Sequence, residues 1–243
     1  MVTKKKDNFQ IYVKQIEAIS KVANLITSGM YLDELLRLVV QVTAEIMNSK
    51  ISSLMLVDPD KKELVVKATQ SISEAYNKKS NIRLGEGIAG VVARDNKPIC
   101  ILDVKNDARY LNQDVAKKEG LCSLACVPLA VKGRVIGVLN CYTSKKHKFP
   151  KHELDLLTAL ANQAAIAIEN AELDLRARSA EEALTTRKLV ERAKDILSQD
   201  ANISSSEAYR LIQKQSMNMR KSMREVAEAI ILAKDIRTRK NER

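Results

Sequence analysis

Apolar residues recur along the chain with two different spacings, and the change between them marks the predicted elements. Helical spacing at residues 11–26 and at about 32–47 predicts two amphipathic helices. Residues 51–57 and 63–69 then have the composition of strands, and the polar run 58–62 between them has the chemistry of a turn. The pattern therefore predicts two helices followed by a β-hairpin.

The middle of the chain predicts a second, more apolar set of elements. The polar stretch 70–81 indicates a loop, and the glycines that follow it permit a tight entry into a short helix. Two strands joined by Lys132-Gly133-Arg134 are almost wholly apolar, which is typical of strands covered on both faces. The predicted elements here are a strand at 99–104, a short helix at 112–119 that ends at Gly120, and strands at 122–131 and 135–142.

Beyond Pro150 the chain contains no glycine or proline, and a long helix is predicted. Its apolar positions alternate spacings of three and four, at Leu154, Leu157, Ala161, Ala164, Ile168, Ala171 and Leu175. This heptad seam has two interpretations, packing on the chain's own sheet and pairing between two subunits, and we expect both, the early part docked and the later part paired. The seam degrades between Arg176 and Glu182, which predicts a helical linker.

Charge and cysteine content indicate which kind of partner the protein binds and in which cellular compartment it is found. A net charge of +11 and a pI of about 9.4 favour a polyanionic partner, although a solvated basic surface is an equal alternative. The cysteines fit no zinc spacing, and three of the four lie in apolar runs, so we expect buried thiols in a reducing cytosol, with a redox role as the minority alternative. Without a signal peptide or a long apolar run, a cytoplasmic protein with no membrane contact is predicted.

Two segments carry a resemblance to a known family. Residues 84–93, LGEGIAGVVA, precede Lys97-Pro98-Ile99, and residues 123–129, SLACVPL, precede GRVIGVLN at 133–140. With the order of elements around them, they resemble the GAF domain family across roughly residues 20–170. The glycine-rich segment follows a loop rather than a strand, so a dinucleotide fingerprint fails its context test.

The GAF resemblance implies an antiparallel sheet with helices on one side and a small-molecule pocket on the other. The pocket positions would fall in residues 70–81, 103–110 and 112–120. None of these segments has a ligand-specific signature, so no cofactor or effector is named. A GAF module that dimerises with an empty pocket is as good an alternative as a sensor.

The C-terminal region resembles a second family, the ANTAR domain. Three motifs match in order and spacing: Glu-Arg-Ala-Lys at 191–194, Glu-Ala-Tyr-Arg at 207–210 and Arg-Glu-Val-Ala-Glu-Ala-Ile at 224–230. Two departures are Asp195, where glycine is common, and the turn at 199–202, which lacks the usual glycine. The resemblance implies a three-helix transcription antiterminator that binds tandem stem-loops in nascent mRNA.

The residues themselves agree with such a module. Ser204 or Ser205 is predicted to cap a helix with one face of Ala208, Leu211, Ile212 and Gln215 and another of Tyr209, Arg210, Lys214 and Asn218. In the last helix, Met223, Val226, Ala227, Ile230 and Ile231 form the core stripe. An aromatic ring can stack on unpaired bases while basic side chains hold phosphates. The candidate RNA-binding residues are Lys194, Tyr209, Arg210, Lys214, Asn218, Arg220, Lys221 and Arg224. The alternatives are a half-buried packing role for Tyr209 and a solvated face for the basic residues.

The predicted fold is α+β: a GAF-like antiparallel sheet with helices at 1–170, a helical coiled-coil linker at 171–186, and an all-α three-helix ANTAR module at 187–243. We expect a homodimer, RNA as partner and a possible small-molecule effector. The alternative function is a GAF-controlled DNA-binding regulator, against which stands the lack of a short glycine-containing turn between the last helices. An enzyme is not expected, because a GAF-type sulfoxide reductase would need cysteines in the pocket, and no catalytic constellation is present.

Overall fold

The computed structural model of the chain describes residues 32–71, 73 and 80–241. The helix predicted at 11–26 and most of the loop predicted at 70–81 lie outside this range. Two compact units divide the chain, Met1–Leu173 and Asp174–Arg243. The described helices and strands, in chain order, are α1 (Leu32–Met47), β1 (Ile51–Asp58), β2 (Glu63–Thr69), β3 (Ile82–Arg83), α2 (Gly87–Asp95), β4 (Ile99–Ile101), α3 (Gln113–Lys118), β5 (Leu124–Val131), β6 (Arg134–Tyr142), α4 (Lys151–Ala201), α5 (Ser205–Met219) and α6 (Met223–Asn241).

The first unit is built on a six-stranded sheet in the order β3-β2-β1-β6-β5-β4, in which every neighbouring pair is antiparallel. The β5–β6 hairpin closes at Val131 and Arg134, and both residues between them have positive φ, 50° at Lys132 and 81° at Gly133. Two positive φ values in a two-residue loop match the right-handed twist of paired strands. The hairpin predicted from sequence is therefore confirmed.

Two cores cover the two faces of this sheet. On one face α1 and α4 pack their aliphatic residues, among them Leu36, Leu157 and Ile168, against β1, β5 and β6. On the other face α2 and α3 contribute Val92 and Ala116 to a second cluster that includes residues of β1, β5 and β6. The GAF resemblance implied helices on one side of the sheet and a pocket on the other; the structure has the short helices α2 and α3 on that second side.

Two predicted strands are too long at the ends where they approach each other. Strand β4 stops at Ile101 rather than at residue 104, and β5 begins at Leu124 rather than at residue 122. The hydroxyl of Ser123 donates to the carbonyl oxygen of Leu102 at 2.7 Å, and the amide of Ser123 donates to the hydroxyl of Thr143 at 3.2 Å. Backbone hydrogen bonds from Val104 to Cys122 at 2.7 Å and from Cys122 to Thr143 at 2.8 Å continue past the strand ends, so the side-chain bonds of Ser123 supplement an irregular ladder.

The second unit has a small core made by the end of α4 together with α5 and α6. Its fully or mostly buried residues are Val190, Ala193, Ile212, Val226, Ala227 and Ile231. The stripe predicted for the last helix is confirmed, and so is its reliance on the preceding long helix. Of the α5 face predicted from Ala208, Leu211, Ile212 and Gln215, only Ala208 and Ile212 are buried, whereas Leu211 is 50% exposed and Gln215 is exposed.

Helix α4 is buried in its early part and exposed to solvent further along. The seam residues Leu157, Ala161, Ala164 and Ile168 are fully buried against the sheet of their own unit, so the early part docks as predicted. Leu175, the last residue of that seam, is 60% exposed. Every residue from 173 to 185 is exposed, and the helix is nevertheless continuous through this stretch.

Candidate nucleic-acid interface and candidate effector pocket

The N-terminal ends of α5 and α6 are each capped by a serine and a glutamate that hydrogen-bond to each other's backbone amides. The hydroxyl of Ser204 accepts from the amide of Glu207, whose carboxylate accepts from the amide of Ser204 at 2.9 Å. Ser222 and Glu225 make the same pair of bonds at the start of α6, at 3.2 and 2.8 Å. These hydrogen bonds lower the pKa values of both glutamates, and the cap predicted at Ser204 or Ser205 is found at Ser204.

Three residues, Arg220, Lys221 and Ser222, form the whole connection between α5 and α6. Arg220 ends α5 in the left-handed conformation, with φ 53° and ψ 39°, and the amide of Lys221 donates to the carbonyl oxygen of Ser216 at 3.1 Å. The turn is therefore short although it contains no glycine, since Arg220 takes the position that glycine usually fills. The connection is short, so of the argument against a helix-turn-helix only the lack of glycine remains.

The predicted basic residues fall into two groups by their ion pairs. Arg210, Lys214, Arg220 and Lys221 are exposed and form no ion pair among the described residues. They present four uncompensated positive charges on α5 and on the turn that follows it.

The other two predicted cations are compensated by acidic side chains. The guanidinium of Arg224 lies 2.8 Å from the carboxylate of Glu228, which raises the pKa of the arginine. The Lys194 ammonium lies 2.7 Å from the carboxylate of Glu191, and only 14% of its side chain is exposed. These two positions contribute less free charge to a polyanion than the first four.

The helical repeat sorts the candidate residues of α5 into rows. Arg210, Lys214 and Asn218 follow one another at intervals of four and share a row, since four residues complete about one turn. Tyr209, which is 43% exposed, begins the neighbouring row rather than this one. The prediction that these four residues share one face is therefore wrong, because the helical repeat separates the Tyr209 ring from the cations by about a quarter turn or more.

A small cavity lies on the α2 side of the sheet in the first unit, with a volume of about 30 Å³. No charged side chain is among its described lining residues, which are Ser53, Met55, Val66, Ile82, Ile88, Ala89, Tyr110, Leu111, Asn112, Leu124, Asn140 and Tyr142. Of the segments expected to form the pocket, 103–110 contributes Tyr110 and 112–120 contributes Asn112.

Most of the remaining lining comes from the strands, which sequence reasoning missed. Ser53 and Met55 on β1, and Asn140 and Tyr142 on β6, are two residues apart and so point to the same face. That alternation was the available signal, but it identifies a face only once the strand order is known.

The polar groups of the cavity are hydroxyls and amides. The Tyr110 hydroxyl donates to the Tyr142 hydroxyl at 3.3 Å, and the two rings meet edge to face with centroids 6.3 Å apart. Burial raises the pKa of Tyr110 to about 12, against the opposing effect of that hydrogen bond. The amide nitrogen of Asn140 donates to the Ser53 hydroxyl at 3.5 Å. Such a lining can hydrogen-bond an uncharged ligand.

The cysteines stand apart from this cavity. Cys122, Cys126 and Cys141 are buried as predicted, and Cys100 is exposed on strand β4. Burial raises the pKa of the Cys141 thiol to about 12 and also raises that of Cys126. None of the four is a described lining residue, so the described part of the chain offers no thiol to a sulfoxide in the pocket.

The described residues contain no cluster of His, Cys, Asp and Glu side chains suited to hold a metal ion. Among the helices of the described range, none has the length and apolar character needed to cross a membrane.

Comparison with family models identifies both regions. The GAF domain model matches residues 30–169, more than half of the chain, and the ANTAR domain model matches residues 178–231. The chain is 27% identical over 174 residues to a methyl sulfide methyltransferase-associated sensor of Methanosarcina acetivorans, covering 70% of this chain and 17% of that protein. It is 23% identical over 157 residues to a phosphoenolpyruvate-dependent phosphotransferase system protein of Escherichia coli, covering 65% of this chain and 20% of that protein. The chain thus spans about a fifth or less of the length of these curated relatives.

Solved structures show the same fold for the first unit. The GAF domain of a phosphoenolpyruvate-protein phosphotransferase from Coxiella burnetii superposes with a TM-score of 0.60 at 24% identity, covering 69% of this chain and 98% of that one. A free methionine-R-sulfoxide reductase from Neisseria meningitidis, solved in complex with its substrate, gives a TM-score of 0.57 at 21% identity, covering 66% and 91%. At these identities the likeness concerns the fold alone.

Proposed function

Because the chain belongs to the GAF family and carries an ANTAR domain after its GAF domain, we propose that it is a signal-responsive transcription antiterminator. Its ANTAR unit binds two adjacent stem-loops in nascent mRNA, and its GAF domain controls that binding. The observation that carries the proposal is the set of exposed, unpaired cations on α5 and the following turn, Arg210, Lys214, Arg220 and Lys221, next to the exposed ring of Tyr209.

This surface suits the loop of an RNA hairpin. Unpaired loop bases are splayed outward, where an aromatic ring can stack on them, and the phosphates beside them attract cations. Arg220 and Lys221 lie on a turn that is capped from both sides, so their charges are presented on a fixed backbone. A preorganised cationic turn loses little entropy when it binds an anion.

Two stem-loops call for two ANTAR units, and the exposed part of α4 offers a way to join them. Leu173, Ala177, Ala180 and Leu184 are exposed at spacings of four, three and four, which is a heptad seam different from the one docked on the sheet. We assign residues 171–186 as the linker between a GAF domain at 1–170 and an ANTAR module at 187–243. Pairing of two α4 helices along this seam makes a homodimer.

Control is assigned to the cavity beside Tyr110 and Tyr142. An effector that fills this uncharged cavity in the first unit shifts the population of chains competent to bind RNA, if it binds the two states with different affinity. The activity needs no catalytic residue, and the proposal includes none.

A DNA-binding regulator is the second candidate, because the turn between α5 and α6 is as short as that of a helix-turn-helix. The two candidates differ in the nucleic acid that they select. RNA loops offer unpaired bases to Tyr209, whereas duplex DNA keeps its bases stacked.

The test compares an RNA with two adjacent hairpins and a duplex DNA of equal length, at one fixed salt concentration. Arg220→Ala and Tyr209→Ala should each weaken RNA binding, and Lys67→Ala, an exposed lysine of the first unit, should not. Equal affinity for RNA and DNA, or equal effects of all three substitutions, would show a basic protein without an RNA site. Tighter binding to the duplex would favour the DNA-binding candidate.

A further inference from the structure

Helix α5 carries a second exposed row beside its cations. Tyr209, Gln213 and Met217 follow one another at intervals of four, so they lie along one side of the helix. Tyr209 is 43% exposed, Met217 is 67% exposed and Gln213 is exposed. The Gln213 amide makes no hydrogen bond to any described residue. These three residues are named here the neutral row, and Arg210, Lys214 and Asn218 are named the polar row.

The neutral row is not part of the core cluster that anchors α5. The helix is anchored through Ala208 and Ile212, which are 0% and 1% exposed, and its ends are held by Ser204 and Arg220. A single exposed apolar residue needs no explanation. This row combines an aromatic ring, an amide and a thioether, and it runs beside a row that contains cations. Proteins that bind single-stranded nucleic acids use such surfaces, on which bases stack while the cations contact phosphates.

We propose that the neutral row contacts the unpaired bases of the RNA loop while the polar row and the turn hold its phosphates. Tyr209 stacks on one base, Gln213 donates to and accepts from base edges, and Met217 packs on a further base. The charge of the flanking residues selects a polyanion over an apolar protein partner, since Arg210 and Lys214 border the row and Arg220 and Lys221 follow it. The inference rests on the proposed function and assigns its base-contacting residues.

The dimensions of the row fit a short loop. Tyr209 and Met217 are eight residues apart, about 12 Å along the helix axis at 1.5 Å per residue. Stacked bases are separated by about 3.4 Å, so this length corresponds to roughly three to four bases. Gln213 lies midway, where an amide can pair with a base edge, as glutamine does with adenine.

The experiment uses the full chain and two RNAs with the same two hairpins, one with intact loops and one whose loop nucleotides are abasic. The abasic RNA keeps the phosphates and removes the bases. Gln213→Ala and Met217→Ala are compared with Gln215→Ala and Met219→Ala, which make the same chemical change two residues further on. Two residues turn the side chain by about 200°, to the other side of the same helix. Gln215 is exposed and Met219 is 53% exposed, so all four substitutions leave the core intact.

Gln213→Ala should weaken binding to the intact RNA by about tenfold and Met217→Ala by about threefold. On the abasic RNA, both variants should bind as tightly as the unsubstituted chain. Lys214→Ala should weaken binding to both RNAs and reduce the slope of log affinity against log salt by about 0.7. The two control substitutions should leave affinity unchanged. Gln213→Ala should leave the salt slope unchanged, because it removes no charge.

The outcomes separate this inference from the proposed function. If the unsubstituted chain binds the intact RNA selectively but the neutral-row variants bind it equally well, the row makes no base contact and the inference is wrong while the function stands. The inference also fails if those variants lose as much on the abasic RNA as on the intact one. If the unsubstituted chain shows no preference for the hairpin RNA, the proposed function itself fails.

Discussion

Replacing Arg220 by glycine separates the charge of the α5–α6 turn from its backbone strain. Arg220 has φ 53° and ψ 39°, a conformation that costs a residue with a side chain about 1–2 kcal/mol and costs glycine almost nothing. Glycine also raises the entropy of the unfolded chain, which offsets about 0.4–1 kcal/mol of that gain. Arg220→Gly should therefore stabilise the second unit by about 0.5–1 kcal/mol and still weaken RNA binding.

The readout is local, because the chain has two units. Amide hydrogen exchange of peptides from α5 and α6, measured by mass spectrometry on the full chain, should slow by about two- to fivefold in Arg220→Gly, which is the factor that 0.5–1 kcal/mol implies. RNA binding should lose one cationic contact and the corresponding part of its salt slope, about 0.7 for a single-stranded loop.

Two further variants complete the comparison. Arg220→Ala removes the charge and keeps a side chain in the left-handed region, so it should bind RNA as weakly as Arg220→Gly without slower exchange. Arg220→Lys keeps the charge and should retain most of the affinity. Faster exchange in Arg220→Gly would refute the strain argument, and unchanged RNA binding in Arg220→Gly would refute the role of the charge.

Two predictions concern the rest of the chain. Gly90→Ala should destabilise the first unit by about 2 kcal/mol in scanning calorimetry, because a Cβ there would lie 2.2 Å from a backbone carbonyl oxygen. Gly133→Ala, which has open space around the added methyl group, should destabilise it by about 1 kcal/mol. Equal losses of stability in the two variants would contradict this. The double variant Leu173→Glu, Leu184→Glu should sediment as a monomer if these exposed residues pair two α4 helices. Leu232→Glu, which changes a similarly exposed leucine on α6, should leave the sedimenting mass of the protein unchanged. A dimer that persists in the double variant would exclude the proposed seam.

The elements that sequence predicted well are those determined by neighbours in the chain. The bounds of α1 and β2 agree with the prediction, because an amphipathic period and a polar turn are local signals. The turn before β2 is closed by Asp58, whose carboxylate accepts from the amides of Asp60 and Lys61 at 3.0 and 3.1 Å. An aspartate in that position is the feature that a turn prediction uses.

The candidate pocket was predicted less completely, for a reason of topology. Its walls come largely from β1 and β6, which are neighbours in the sheet although residues 59–133 separate them in the chain. Ser53 pairs with Asn140 across these strands, and a chain read in order gives no register for that pair. The loop residue Tyr110 was within a predicted segment because the family resemblance supplied it.

Two turns in the second unit contain no glycine, and the sequence alone did not show how they close. The lack of glycine at 199–202 is a departure from the family pattern, and the lack of a short glycine-containing turn between α5 and α6 was the argument against a helix-turn-helix. The structure fills both left-handed positions with other residues, Asn202 at φ 50° and Arg220 at φ 53°. Asparagine tolerates this region because its short side chain can bond locally.

Arginine has no such compensation, so the turn at Arg220 must be stabilised from elsewhere. The bonds from Lys221 to Ser216 and the reciprocal cap of Ser222 with Glu225 supply that stabilisation. They close the chain around a residue whose own preference opposes the turn, and they leave its guanidinium exposed. A glycine at position 220 would make the turn more stable and would remove a cation from the connection between the two helices. The left-handed backbone at this position favours glycine, which carries no charge. The strain at Arg220 is thus the energetic cost of placing a cation there, and Arg220→Gly measures both the strain and the contribution of the charge.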